Sequence, residues 1–161
     1  MKWRYPSLTA LVIGDGERRT ELEKFCRDKK IERHVLFLGL RKDVHLLLPH
    51  LDMVVLSSDN EGCSITLLEA MAAALPVVAT AVGGTGELVV EGKTGFMVPP
   101  RDPRALADRI ERLLEDRTLA KEMGLEGREW VKRHFSLSRM VDETQSLYRT
   151  LLSAKMERSY R

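Results

Sequence analysis

Apolar positions along the chain fall into two alternating rhythms. Short, near-continuous apolar runs rich in β-branched residues occupy 8–13, 35–38, 53–56, 76–79 and 96–98. A strand with one wet face alternates apolar and polar residues, whereas a strand covered on both faces reads as an unbroken apolar stretch. These five runs are therefore predicted to be buried parallel strands. Helical spacing separates the first four. Residues 18–29 place Leu22, Phe25 and Cys26 on one face, 43–50 form a short helix with Val44, Leu47 and Leu48, and 66–74 are rich in Leu and Ala. A further turn of helix is expected after Gly84. Strand–helix–strand alternation implies an α/β fold: a Rossmann-like parallel sheet of about five strands flanked by helices, joined by right-handed crossovers.

After Pro100 the rhythm becomes purely helical. Asp102 followed by Pro103 reads as an N-cap with proline in the first helical position. The helix so begun is expected to run to Glu115 with Leu106, Ile110, Leu113 and Leu114 inward. A second covers 117–134, with a break expected near Gly124. A third starts at Ser136 or Ser138 and presents Met140, Val141, Leu147, Tyr148, Leu151 and Leu152 at helical spacing. All three are read as packing helices, with Trp130 and Tyr148 inside their contacts. No Pro- or Gly-rich linker interrupts the chain, so residues 1–161 are read as one domain whose helical C-terminal part spans 102–155.

Composition narrows the class without redirecting it. The 161 residues are 43% hydrophobic and 31% charged, which fits a globular domain and excludes disordered and fibrous classes. A formal net charge of +2 with interleaved signs, and no basic block with aromatics among it, gives no electrostatic footprint for nucleic acid. Two separated cysteines, Cys26 and Cys63, make no disulfide framework and suit a reduced, cytoplasmic protein. The apolar runs fall far short of the roughly 20 residues a membrane span needs, so no integral membrane segment is expected. His34, His45, His50 and His134 make no metal spacing with one another or with a cysteine; no metal and no cofactor are expected.

Candidate chemistry concentrates in residues 57–95. A buried strand ends at Ser57, a polar loop holding Glu61 and Gly62 follows, and a helix starts near Ser64 or Thr66. Loops at the carboxyl ends of parallel strands are where open α/β sheets bind ligands. Free backbone N–H groups at a helix start favour an anion such as a diphosphate, and Gly62 lets a ligand approach the main chain. Glu69, in the first turns of the same helix, offers a carboxylate to a sugar diol. Spacing alone does not separate this from two unrelated glutamates. Gly14-Asp15-Gly16 opens like a dinucleotide fingerprint, but Arg19 stands where the third glycine belongs, and a tight turn accounts for it as well. Gly83, Gly84 and Gly86 suit an anion cradle or a turn equally. Cys63 in the loop has no histidine partner in the pattern that would activate it.

The residues Glu61-Gly62, Leu67-Leu68-Glu69-Ala70-Met71-Ala72, Leu75-Pro76-Val77-Val78-Ala79-Thr80, Val82-Gly83-Gly84 and Glu87-Leu88-Val89 together resemble the signature of the retaining group 1 (family 4) glycosyltransferases of the GT-B fold, including their E-x7-E motif with Glu61 and Glu69 as its acids. Residues 11–16, 35–39 with Arg41-Lys42-Asp43-Val44, 92–100 and the Asp102-Pro103 helix start extend the likeness from about residue 6 to 150. It implies the C-terminal, donor-binding domain of a transferase that moves a hexose from a nucleotide diphosphate sugar (UDP-, GDP- or ADP-linked) to a hydroxyl, in cell-surface polysaccharide or glycolipid synthesis. It implies that Glu69 binds the ribose hydroxyls and that Glu61 contacts the transferred sugar and stabilises the transition state. Main-chain N–H groups of Gly62, Cys63, Ser64, Ile65 and Thr66 would face the diphosphate. Gly39, Leu40 and Arg41 would border the base, and Gly14 would lie on the strand near the donor. No metal is implied, because helix N-termini and basic side chains neutralise the leaving diphosphate.

The chain departs from that family pattern in ways that shape the expectation. Residues 1–161 are expected to hold no acceptor-binding domain. Residues 1–161 are also expected to lack the family's first strand and helix, with the arginine and lysine that clamp the diphosphate, and residues 1–5 are too short and polar to replace them. That strand would lie between the strands at 8–13 and 53–56, so two edges are left to pair directly or to recruit another chain. Ala74 stands in place of a common glycine and Gly86 in place of a common proline. The chain is therefore expected not to transfer sugar alone. In a complete enzyme it would act in the cytoplasm, peripheral to the membrane. A non-catalytic or split subunit that binds a separate acceptor domain, and a nucleotide-sugar 2-epimerase, share the architecture and remain alternatives. Trp3 and Tyr5 are expected to cover a sheet edge, Asp15 to form a turn, and the basic end from Lys155 to be solvated.

Overall fold

The computed structural model describes residues 4–159, with side chains from 4 to 155. Trp3 and the side chains of the basic end beyond Lys155 lie outside the described residues. The chain divides into two compact units, Met1–His50 and Leu51–Arg161.

The first unit is a single strand–helix–strand crossover. β1 (Ala10–Ile13) and β2 (Val35–Gly39) pair in parallel, flanking α1 (Arg19–Asp28), and a short helix α2 (Val44–Leu47) runs into a 3-10 turn at Leu48–His50. The register runs from Ala10 opposite Val35 to Val12 opposite Phe37, then slips by one residue so that Ile13 faces Gly39. Of the expected inward trio on α1, Cys26 is buried, but Leu22 is 41% and Phe25 54% exposed. The reason is width. Two strands about 5 Å apart cannot cover a helix about 10 Å across, so only the residue facing the groove is closed over. Val12 and Leu36 are exposed on the strands for the same reason.

The second unit carries the main core. β3 (Val54–Leu56), β4 (Val77–Thr80) and β5 (Gly95–Val98) form a parallel sheet in the order β3-β4-β5. The helices are α3 (Ile65–Ala72), α4 (Thr85–Leu88), α5 (Pro103–Glu115), α6 (Arg117–His134) and α7 (Leu137–Ser159). β4, paired on both edges, is buried at all four residues. Val78, Phe96, Val98, Leu113, Ala120 and Met123 cluster beneath it, with Leu106 and Ile110 of α5 packed against them. Asp102 caps α5 as expected, its Oδ1 accepting from the N–H groups of Arg104 and Ala105 at 3.1 and 2.9 Å.

The α/β class, with parallel strands flanked by helices, is therefore as expected, two strands pairing in the first unit and three in the second. Two expectations are corrected. α6 is not broken at Gly124. A Cβ there would lie 2.1 Å from the Ala74 carbonyl oxygen, so the glycine lets α6 approach the end of α3, and Ala74 itself takes φ +60°. α7, read as a packing helix, leaves Met140, Val141, Leu147, Tyr148, Leu151 and Leu152 exposed.

Candidate functional site

The loop between β3 and α3 is built by hydrogen bonds from below. Thr80, at the end of β4 and 5% exposed, donates its hydroxyl to the Ser58 carbonyl at 2.6 Å. The Ser58 hydroxyl in turn donates to Oε1 of Glu61 at 2.7 Å. On the other side the loop rests on the β4–α4 turn, where Gly84 donates its N–H to the carbonyl oxygens of Gly62 at 3.0 Å and Glu61 at 3.3 Å. Gly83 has φ +49°, and a Cβ on it would sit 1.6 Å from the Glu61 carbonyl oxygen. Only a residue without a Cβ fits that approach. Gly83 and Gly84 thus serve as the floor of the loop, beyond what a bare turn requires. Asp59, on the outer side of the loop, pairs with Arg101 at 3.1 Å. That hydrogen bond and charge raise the Arg101 pKa above its ordinary value.

The helix start above this floor is well formed. Ser64 is buried, and its hydroxyl accepts the Leu67 N–H at 3.4 Å. The N–H groups of Cys63, Ile65 and Thr66 find no acceptor among the described residues. Gly62, Cys63, Ile65 and Thr66 are exposed, and a Cβ on Gly62 would meet nothing within 4 Å. α3 is amphipathic in a way that suits a site: Leu67, Ala70 and Met71 point into the core, whereas Glu69 faces outward and is exposed. Glu61 is half-buried. The structure therefore brings Glu61, Gly62, Cys63, Ser64, Ile65, Thr66 and Glu69 onto one loop and the first turns of one helix. It offers free amides, one supported carboxylate and one free carboxylate.

Gly14, Gly39, Leu40 and Arg41 belong to the first unit. Gly14 donates its N–H to the Gly39 carbonyl at 2.9 Å, joining the ends of β1 and β2. Arg19, held by Asp15 at 3.2 Å and Glu23 at 3.0 Å, lies against Gly39. Leu40 is 80% exposed. The Arg41 guanidinium forks onto Asp43 at 2.8 and 2.6 Å. That hydrogen bond holds the Asp43 carboxyl below the usual carboxylate range, against a smaller opposing effect of desolvation. Asp15, expected to form a turn, instead precedes the one closed by the Arg19 N–H on the Gly16 carbonyl, and its carboxylate accepts the Gly16 N–H and pairs with Arg19.

Sequence reasoning missed Ser58, Thr80 and the floor role of Gly83-Gly84. A serine three residues before a loop glutamate is a local signal for side-chain bonding. The Thr80 contact spans 22 positions and has no local signal. Among the described residues no group of three or more His, Cys, Asp or Glu stands together as metal ligands. No described helix is long and apolar enough to cross a membrane. Two surface concavities, one along β2 beside Cys26 and one beside Ala74 and Arg117, lie away from Glu61 and Glu69.

Residues 2–130 match the family model described as glycosyl transferases group 1. N-acetyl-alpha-D-glucosaminyl L-malate synthase of Bacillus anthracis is 34% identical over 142 residues, covering 88% of this chain and 37% of its own length. The chain thus spans well under half the length of that relative. The crystal structure of Anabaena HepE in complex with UDP matches with a TM-score of 0.82 and 30% identity, over 92% of this chain and 42% of that one. The C-terminal domain of a group 1 family glycosyl transferase (LpcC) from Francisella tularensis matches with a TM-score of 0.78 and 28% identity, over 84% of this chain and 74% of that one.

Proposed function

The chain belongs to the group 1 glycosyl transferases, and on that premise we propose that it is the domain that binds the nucleotide-sugar donor in a retaining transfer. The diphosphate lies over the amides of Cys63, Ile65 and Thr66, Glu69 takes the ribose diol, and Glu61 meets the transferred sugar. Gly62 leaves the main chain open to the ligand. Hexosyl transfer to a hydroxyl of a polysaccharide or glycolipid acceptor is completed by a separate acceptor-binding domain, so residues 1–161 alone bind donor without turning it over.

One observation carries this reading: free amides at a helix start flanked by two carboxylates in different states. Amides and helix dipole stabilise the negative charge that develops on a leaving diphosphate without a metal ion. A carboxylate on the same helix accepts two hydroxyl hydrogen bonds from a diol. UDP is the ligand named for the HepE structure, which makes uracil the first base to test. Titration of the purified chain with UDP, GDP and ADP by calorimetry checks the reading. One nucleotide is expected to bind, and Glu69→Ala is expected to weaken it by about tenfold or more, the loss of two charge-assisted hydrogen bonds. Because Glu69 is exposed, the variant should fold normally. A folded chain that binds none of the three nucleotides would remove the donor-binding proposal.

A further inference from the structure

The two acids of the site are held differently. Glu69 is exposed, and its carboxylate has no side-chain partner among the described residues. Glu61 is half-buried, and its Oε1 receives the Ser58 hydroxyl at 2.7 Å. A glutamate side chain gives up rotamer freedom whenever a ligand fixes it. A charge-assisted hydrogen bond already in place removes part of that cost before the ligand arrives.

The support is anchored at both ends. Ser58 hangs by its carbonyl from Thr80 at 2.6 Å, and Thr80 ends the one strand of this sheet that is paired on both sides. The backbone of Glu61 is fixed from the opposite side by Gly84 and by the close approach of Gly83. Two hydrogen bonds therefore run from the buried centre of the sheet to one carboxylate oxygen. They leave Oε2, which bonds to no described residue, as the acceptor still available.

We propose that Ser58, carried by Thr80, is the positioning residue for Glu61, and that this relay sets affinity for the transferred sugar while leaving affinity for the nucleotide unchanged. The proposal rests on the donor-binding reading above. It assigns the relay to the sugar because Ser58 reaches Glu61 alone among the two acids. The nucleotide is held by the α3 amides and by Glu69, which the relay does not touch.

The test uses the full chain and whichever of UDP, GDP and ADP it binds, together with the glucose conjugate of that nucleotide. Affinities for both are measured by calorimetry, and their ratio isolates the contribution of the sugar. Ser58→Ala is expected to cut that ratio by about tenfold, with nucleotide affinity held within about twofold. Ser58→Thr keeps the hydroxyl and is expected to restore most of the ratio. Thr80→Val, isosteric and buried, should shift the ratio in the same direction by a smaller factor. A purely structural role for Ser58 would lower both affinities together and would show no rescue by threonine; that result overturns the relay. A conjugate that binds the parent chain no tighter than its nucleotide also overturns it, since Glu61 would then not be set for a sugar. If the parent chain binds no nucleotide at all, the donor-binding reading itself has failed, and the relay fails with it. Binding of the nucleotide with an unchanged ratio in Ser58→Ala sinks the relay alone.

Discussion

The two units start from similar material and end differently. Each has apolar strands joined in parallel by way of a helix. In Leu51–Arg161, β4 has a neighbour on both sides and four buried residues, and α3 buries Leu67, Ala70 and Met71 completely. In Met1–His50, both strands are edges, α1 buries Cys26 alone, and Leu22, Phe25, Val12 and Leu36 are exposed. Hydrophobic runs of the same quality are thus a core in one unit and a surface in the other. The difference teaches that apolar sequence specifies a wish for cover, and that the number of paired strands decides whether cover exists. A third strand turns an edge into a centre and gives a helix a floor as wide as itself.

Truncation of side chains breaks this comparison most sharply. Leu67→Ala in the closed unit should cost about 2–5 kcal/mol, because it leaves a cavity at a fully buried position. Phe25→Ala in the open unit should cost less than about 1 kcal/mol, although it removes the larger side chain, because most of that ring is already wet. Urea denaturation reads the first, and amide exchange over residues 19–28 reads the second. Equal losses at both sites would show that Phe25 is covered in solution.

A backbone substitution sharpens the same contrast. Gly83→Ala puts a Cβ onto the Glu61 carbonyl at a left-handed φ and is expected to cost about 3 kcal/mol. It should loosen the site loop as well. Gly16→Ala in the first unit meets nothing within 4 Å and should stay within about 1 kcal/mol of the parent chain in either direction.

The smallest effect is electrostatic and confined to the first unit. Arg41 lowers the Asp43 pKa, so the ion pair stabilises the folded state above the carboxyl's unfolded pKa. That contribution is lost as pH falls through the depressed folded value. The pair is exposed, so the change in stability should be slight. The titration is the better measurement. Arg41→Ala should return the Asp43 carboxyl, followed by carbon-13 NMR, to the ordinary carboxylate range, with no change in the second unit.

Much of the molecule was legible from residue patterns because the deciding physics is local. Asp102-Pro103 marks the start of α5, since an N-cap and a proline in the first turn act within a few residues. The five strands lie within two residues of the apolar runs that predicted them. The loop from Glu61 to Ser64, the helix start at Ile65 and the outward Glu69 follow from a strand end and the period of one helix. Gly124 misled because a glycine in a helical stretch signals either a break or a close approach, and only the carbonyl of Ala74 lying against it chooses between them.

What the sequence determined by itself was therefore the inventory: five strands, the helices between and after them, the capped starts, and two acids eight residues apart on a loop and a helix. The tertiary structure alone decided how the strands pair within each unit, and which apolar faces are covered. It also decided that Ser58, Thr80, Gly83 and Gly84 converge on Glu61. The physical reason is range. Propensity, capping and periodicity act between residues a few positions apart, whereas strand pairing, burial and the hydrogen bond from Thr80 to Ser58 join residues that meet only once the chain has folded.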